Sequence, residues 1–114
     1  MNFNEYQQKA LRTDSFDEGE RGVTTIAFFT KVLGLVGETG EIAEKFKKIY
    51  RDDLGEMSAD QIENMKKELG DVLWYIAVLA DYLGIDLQDV AQMNIDKLQS
   101  RLVRGKIGGS GDNR

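Results

Sequence analysis

The sequence predicts an all-α fold, a bundle of four helices. Three features of the 114-residue chain support this prediction: proline is absent, apolar residues recur at helical spacing almost throughout, and the alternation typical of β-strands is weak. Hydrophobic residues make up 41% of the chain, which is enough for one domain with one packed core. Because the predicted connections are short, neighbouring helices should be antiparallel.

The first two helices are separated by a polar loop. The first helix spans about residues 2–13, and Asn2 with Glu5 matches a capping box, in which two side chains satisfy the N-terminal backbone donors. The loop DSFDEGERG covers residues 14–22. A long second helix over about residues 24–50 follows, opened by one of two adjacent threonines.

The third and fourth helices also carry boundary signals. Ser58 with Gln61 matches a second capping box, and Gly84 fits the C-terminal cap of a third helix over residues 59–83. Asp86 is expected to cap the N-terminus of the fourth helix.

The C-terminal segment differs in composition from the helices. The fourth helix is expected to end near residue 103, and the remainder is basic and rich in glycine, with no apolar period. We therefore expect a helical domain over residues 1–103 and a flexible tail over residues 104–114.

The composition limits the chemistry of the chain. It contains no cysteine and no histidine, which excludes disulfides, thiolate metal sites, histidine general bases and the usual zinc ligands. Its net charge of −5 argues against binding to a nucleic-acid backbone. No apolar segment approaches the ~20 residues that span a bilayer, and the N-terminus is too polar for a signal peptide. We expect a cytoplasmic protein that binds neither nucleic acid nor membrane.

Two pairs of acidic residues lie on the second and third helices. Glu38 and Glu41 are three residues apart, and Glu68 and Asp71 have the same spacing. Residues at this spacing are neighbours on a helix surface, where their like charges repel. Beyond Asp71 the third helix is apolar on nearly every side, which predicts burial on every side, so its acidic pair should be partly buried. Partly buried carboxylates need protons, basic partners or a metal ion.

Four carboxylates that converge between antiparallel helices would suit Mg²⁺, or Mn²⁺, because these ions prefer hard oxygen ligands. Such ions can activate a water and stabilise a leaving phosphate. The competing interpretation is a solvated helix surface, because Glu41 with Lys45, and Glu44 with Lys48, have ordinary salt-bridge spacing. Three glycines near these acids would let a ligand or another backbone come close: Gly34, Gly37 and Gly40.

Polar residues on two other helices are candidates for contact with a substrate. Asn94, Lys97 and Arg101 project on the side of the fourth helix that carries its apolar residues. The two cationic groups either bind phosphate oxygens or extend along the edge of the bundle. Gln7 is either a contact to a nucleobase edge or an ordinary exposed glutamine.

These segments together resemble the MazG-type all-α nucleoside triphosphate pyrophosphohydrolases. The resemblance rests on GLVGETGEIAE, KKELGDVLWYIAVLA, NIDKLQSR and the ending GSGDNR, and it spans nearly the whole chain. It implies Mg²⁺-dependent hydrolysis of a nucleoside triphosphate between the α and β phosphates, which yields a monophosphate and pyrophosphate and serves to clean the nucleotide pool. It also implies the four-helix fold of this type, assembled as homodimers or homotetramers with sites between subunits.

By the same resemblance, the four acidic residues are the metal ligands and the catalytic residues, and the three polar residues of the fourth helix contact phosphates or substrate. One departure is Gly37, which stands where many relatives carry another glutamate. Two alternatives are kept: a non-catalytic helical module that binds metal or nucleotide and oligomerises, and a phosphoribosyl-ATP pyrophosphohydrolase.

Overall fold

Four α-helices make up the fold. The structure, a computed structural model, describes residues 1–16 and 21–114, and these ranges contain no β-strand, so the predicted all-α class is confirmed. The remainder of the predicted 14–22 loop, residues 17–20, lies outside the described residues. The helices are α1 (Phe3–Leu11), α2 (Ile26–Asp53), α3 (Ala59–Tyr82) and α4 (Leu87–Val103).

Side-chain caps begin the first three helices. Asn2 and Glu5 exchange two hydrogen bonds with each other's backbone N–H groups, at 2.8 and 3.0 Å. Ser58 and Gln61 do the same at the start of α3. The N-cap of α2 is Thr25, whose hydroxyl accepts a hydrogen bond from the backbone N–H three residues further on. Both predicted capping boxes are therefore confirmed, and each satisfies backbone donors that a helix leaves unpaired.

The start of α4 is capped by another helix. Asp86 occupies the predicted N-cap position, but its side chain makes no capping hydrogen bond. Instead, Gln7 accepts a hydrogen bond from the N–H of Leu87 at 2.9 Å, and Asn4 accepts one from Gln88 at 3.1 Å. The prediction was right about the position and wrong about the capping group, because α1 supplies the oxygens that Asp86 was expected to provide.

An antiparallel hairpin of α2 and α3 forms the body of the molecule. Gly34 lies against the ring of Tyr75, and at the far end the Gln61 side chain donates a hydrogen bond to Asp53 at 2.8 Å. The predicted antiparallel arrangement is thus confirmed for this pair. α2 extends three residues past its expected end and stops where Leu54 adopts a left-handed φ of 55°.

The buried core lies where α1 packs on the hairpin and α4 begins. Among the described residues, the buried members of this cluster are Ala10, Ala27, Ala77, Val78, Tyr82 and Leu87. Beyond Asp71, α3 is less buried than its sequence predicted, since Ile76 is 36% exposed and Leu83, at the C-cap, is 53% exposed. The expectation of burial on every side is therefore wrong for the described chain, whose α3 packs on α1, α2 and α4 but keeps an open apolar face. None of the described helices is long and apolar enough to cross a membrane.

A charged network joins the start of the loop to the bundle. The Asp14 side chain is fully buried and pairs with Lys31 at 3.0 Å and with Arg21 at 2.8 Å. The hydroxyl of Tyr82 donates a third hydrogen bond to it, and Arg21 also pairs with Asp81. Burial raises the pKa of Asp14, but the Lys31 ammonium, a backbone N–H and the Arg21 guanidinium together hold it below its usual value. The carboxylate is therefore charged inside the protein.

Candidate metal centre

Three carboxylates meet across the α2–α3 seam. Glu38 comes from α2, and Glu68 and Asp71 come from successive turns of α3. One carboxylate oxygen of each lies within 4.8 Å of the others. Glu38 and Glu68 are half-buried, and Asp71 is exposed. The helix spacing alone placed Glu68 beside Asp71, and the antiparallel hairpin brings Glu38 to the same place.

Glu41, the expected fourth carboxylate, lies outside this group of three. Its side chain is exposed on α2, one turn beyond Glu38. The charge of Glu41 nevertheless acts on Glu38. Burial raises the pKa of Glu38, and the negative charges of Asp71, Glu68 and Glu41 raise it further. The cluster thus carries an excess of negative charge that a cation would relieve.

The geometry of the three carboxylates fits a small divalent cation. Oxygens bound to one Mg²⁺ at about 2.1 Å lie at most about 4.2 Å apart, so small rotations of these side chains would bring all three into contact with one ion. Carboxylate oxygens are the donors that Mg²⁺ and Mn²⁺ prefer. Three carboxylates also leave coordination positions for water and for phosphate oxygens.

Lys45 is paired with this cluster. Its Nζ lies 3.0 Å from Oε1 of Glu68, across the seam. The expected Glu41–Lys45 pair is therefore replaced by an interhelical one. Glu44 likewise pairs with Lys47 at 2.9 Å rather than with Lys48. Helical spacing allows these pairs, but it does not decide between a partner on the same helix and one on the next helix.

Gln7 is buried and binds backbone groups of other helices. The side chain is 2% exposed, its amide N–H groups donate to the carbonyl oxygens of Ala77 and Ile85, each at 3.0 Å, and its oxygen accepts from Leu87. The expectation that Gln7 contacts a nucleobase is wrong for this structure, because its amide donors and oxygen already bind backbone groups of α3, of the α3–α4 connection and of the start of α4. Its true neighbours lie some eighty residues away in sequence, where single-helix periodicity carries no information.

In the part of the chain that the structure describes, the three candidate substrate contacts on α4 do not bind the clustered carboxylates. Asn94 is exposed, and Lys97 pairs with Asp112 of the tail at 3.2 Å. Arg101 is 3% exposed and donates to the Asp112 carbonyl at 2.8 Å. Within residues 1–16 and 21–114, no hydrogen bond or ion pair joins Lys97 or Arg101 to the acidic cluster.

The three glycines of α2 have different surroundings. A Cβ at Gly34 would overlap the ring of Tyr75, so the group that comes close there is an aromatic side chain of α3. Gly37 and Gly40 have open space where a Cβ would lie. The expected close approach is therefore found at Gly34, and it serves the packing of α3.

Comparisons with known proteins assign most of the chain to one family. Residues 28–103, which include all three clustered carboxylates, match the MazG nucleotide pyrophosphohydrolase domain. A gene 37 protein of Mycobacterium phage L5 is 55% identical over 82 residues, which cover 72% of this chain and 72% of that protein. The protein YvdC of Bacillus subtilis (strain 168), described as uncharacterized, is 39% identical over 87 residues, covering 72% of this chain and 82% of its own. No solved structure matches the chain with significance.

Proposed function

Because this chain belongs to the family of the MazG nucleotide pyrophosphohydrolase domain, we propose that it is a Mg²⁺-dependent nucleoside triphosphate pyrophosphohydrolase. The observation that carries this proposal is the convergence of three carboxylates from two helices. The reaction adds water to the α-phosphorus and breaks its bond to the oxygen that bridges the α and β phosphates. The products are a nucleoside monophosphate and pyrophosphate, and the role is the removal of unwanted nucleotides from the pool in the cytoplasm.

The three clustered carboxylates are the proposed metal ligands. Glu38, Glu68 and Asp71 would hold Mg²⁺, with Mn²⁺ as a substitute. When bound, the ion would supply Lewis-acid polarisation of a phosphate oxygen and a water of lowered pKa. Glu41, exposed beside the group, would orient the attacking water and accept its proton.

The cationic groups of α4 are the proposed contacts to phosphate. Lys97 and Arg101 would neutralise the departing pyrophosphate, with Asn94 beside them as a further substrate contact. Both cations currently bind Asp112, so phosphate oxygens would replace this carboxylate. This exchange requires the segment over residues 104–114 to move, in line with a flexible tail that follows a helical domain over residues 1–103.

The assembly is proposed to be a homodimer or homotetramer with nucleotide sites between subunits. The support is the wide apolar surface that the described helices leave exposed, on α2 and α4 in particular. A second chain would bring its own α4 toward the carboxylates, because the described Lys97 and Arg101 of the same chain pair with Asp112 and not with the carboxylates.

A panel of ribo- and deoxyribonucleoside triphosphates, including modified bases, tests this function. Each is incubated with the protein with and without Mg²⁺, and pyrophosphate is measured. We expect Mg²⁺-dependent pyrophosphate from at least one substrate, and a loss of about 100-fold or more in Glu38→Gln and Asp71→Asn. The matched control is Glu63→Gln, which removes an exposed acid of α3 and should retain activity. Circular dichroism confirms that each variant is folded.

The results of this panel also distinguish the proposed function from its alternatives. Orthophosphate as the primary product would reject cleavage between the α and β phosphates. Activity on phosphoribosyl-ATP alone would select the phosphoribosyl-ATP pyrophosphohydrolase. Stabilisation by Mg²⁺ or nucleotide without turnover of any substrate would select the non-catalytic module.

A further inference from the structure

Lys45 is the cation that pairs with the acidic cluster. Its ion pair with Glu68 joins two helices, and the side chains are 39% and 17% exposed. The neighbouring pairs Glu44–Lys47 and Glu63–Lys66 each stay within one helix and are more exposed. Within residues 1–16 and 21–114, no other lysine or arginine pairs with the three clustered carboxylates.

A divalent cation at the cluster would compete with this ammonium. The Lys45 Nζ is 3.0 Å from a Glu68 oxygen, whereas Mg²⁺ lies at about 2.1 Å from its oxygen ligands. Two positive charges so close together repel strongly where water is partly excluded. Binding of the metal by Glu68 therefore weakens the hold of Glu68 on Lys45.

Lys45 also borders a groove that lies between α2 and α3 and has a volume of about 230 Å³. Lys48 lines it too, whereas Asp52 and Asp53 lie one to two turns further along α2, toward the end of the hairpin. The groove thus has its cations at the end nearest the carboxylates and its acids at the far end, so a phosphate held by a metal ion at the cluster would have Lys45 and Lys48 as its nearest cations in the groove.

We infer that Lys45 exchanges partners as the site fills: it binds Glu68 in the metal-free protein and a phosphate oxygen of the nucleotide once the metal is bound. This inference rests on the proposed function, since it takes the three carboxylates as metal ligands and a nucleotide as the substrate. It assigns Lys45 as a further substrate-binding residue, in addition to Lys97 and Arg101. The exchange keeps one positive charge beside the cluster in both states, and only its partner changes.

The first test measures metal binding without nucleotide. Mn²⁺ is titrated into the full-length protein by calorimetry, and wild type is compared with Lys45→Met, which retains length and loses the charge. We expect Mn²⁺ to bind the variant about two- to fivefold more tightly, because a partly exposed ion pair no longer competes. Lys66→Met is the matched control: it removes the same charge from an exposed pair with Glu63, and its affinity should stay within about 1.5-fold of wild type.

The second test measures nucleotide binding at saturating Mn²⁺. The probes are the non-hydrolysable α,β-imido analogues of the four deoxynucleoside triphosphates, titrated one at a time. We expect the analogue that binds wild type most tightly to bind Lys45→Met about tenfold more weakly, because a charge-assisted hydrogen bond to phosphate is lost. Lys45→Arg retains a charged donor and should recover most of this affinity, and Lys66→Met should equal wild type.

Opposite signs in the two titrations are the signature of the exchange. Unchanged or weaker Mn²⁺ binding by Lys45→Met overturns the competition, and unchanged analogue binding overturns the phosphate contact. If wild type itself fails to bind Mn²⁺, the metal centre fails and this inference fails with it. If wild type binds Mn²⁺ and Lys45→Met binds it equally well, only the role of Lys45 is rejected.

Discussion

Asp14 carries the buried charge on which the fold depends. Its side chain is fully buried and bound by two cations, whose own side chains are 10% and 16% exposed. Replacing a whole buried ion pair with apolar residues is often neutral, but the removal of one partner leaves the other charge without compensation. Asp14 thus links the loop to α2, and the two cations that surround it need its negative charge.

Substitution of Asp14 tests this dependence. We expect Asp14→Asn to lower the free energy of unfolding by about 3 kcal/mol, because Lys31 stays buried without its counter-ion and Arg21 retains only its pair with Asp81. Urea denaturation at pH 7 and fixed protein concentration measures the loss. The control is Asp52→Asn, which removes an exposed pair with Arg51 and should leave the midpoint unchanged. A loss no larger than that of the control would show that the network does not stabilise the fold.

The same residue predicts how stability depends on pH. The pKa of Asp14 is lower in the folded chain than its ordinary value of 3.8. An acid with a depressed folded pKa contributes stability above the unfolded pKa, and this contribution is lost as the pH falls through the folded pKa. The free energy of unfolding of wild type should therefore fall below about pH 4, and that of Asp14→Asn should fall less steeply. Parallel curves for the two proteins from pH 5 to pH 2 would exclude Asp14 as the titrating group.

At the scale of single elements, two of the three glycines of α2 have different surroundings. Gly34 accepts the ring of Tyr75, which itself packs edge-on against Trp74 at a centroid distance of 4.9 Å. Trp74 is fixed by a hydrogen bond to Thr13 at 2.7 Å, so the ring of Tyr75 has little room to move. Gly37 has nothing within 4 Å of the position of a Cβ.

Substituting alanine at Gly34 and at Gly37 distinguishes the effect of packing on stability from the effect of helix propensity. We expect Gly34→Ala to destabilise the protein by about 1–3 kcal/mol through overpacking against Tyr75. Gly37→Ala should instead stabilise it by about 0.5–1 kcal/mol, since alanine is the better helix former and meets no neighbour. Thermal and urea unfolding of the two variants provide the comparison. Destabilisation by Gly37→Ala would mean that another chain or a ligand approaches α2 at that position.

The elements also show which parts of the molecule follow from sequence. The capping boxes at Asn2 and Ser58 depend on residues three apart, so local geometry determines them. The juxtaposition of Glu68 and Asp71 is local for the same reason. The choice of partner by Lys45 depends on how two helices are paired, and one-helix spacing favoured the wrong one.

The spacing of residues along the sequence could not predict contacts between distant parts of the chain. Gln7 binds backbone groups around residues 77–87, and Asp14 binds Lys31 and Tyr82. These contacts depend on how α1 and the residues that follow it pack against α2 and α3, and the sequence pattern of a single helix does not contain this information. The sequence showed Gln7 only as a polar residue on a predicted helix, and such a residue has the same appearance whether it binds substrate or backbone.

At the scale of the whole molecule, the chain is extended for its length. Its radius of gyration is 17.1 Å, whereas a compact domain of this size has about 13 Å. Much of the apolar surface is exposed, and on α2 it follows a heptad pattern in which large residues alternate at spacings of three and four. The exposed members of this stripe are Ile26, Phe29, Leu33 and Val36. A stripe of this kind is the surface that a second helix covers in a stable assembly.

Disruption of the stripe tests the proposed oligomer. Light scattering coupled to size exclusion should give wild type a mass of at least two chains, because the exposed stripe is buried against a second copy. Leu33→Glu should shift the protein to one chain, since an unpaired carboxylate would be buried in that interface. Leu54→Glu is the control, because Leu54 is 90% exposed in the α2–α3 turn and lies off the stripe. A monomeric wild type, or two variants with the mass of wild type, would reject the stripe as the interface. If Leu33→Glu is monomeric and still binds Mn²⁺, the carboxylates of one hairpin suffice for the metal, and any loss of turnover reflects the missing α4 of the second chain.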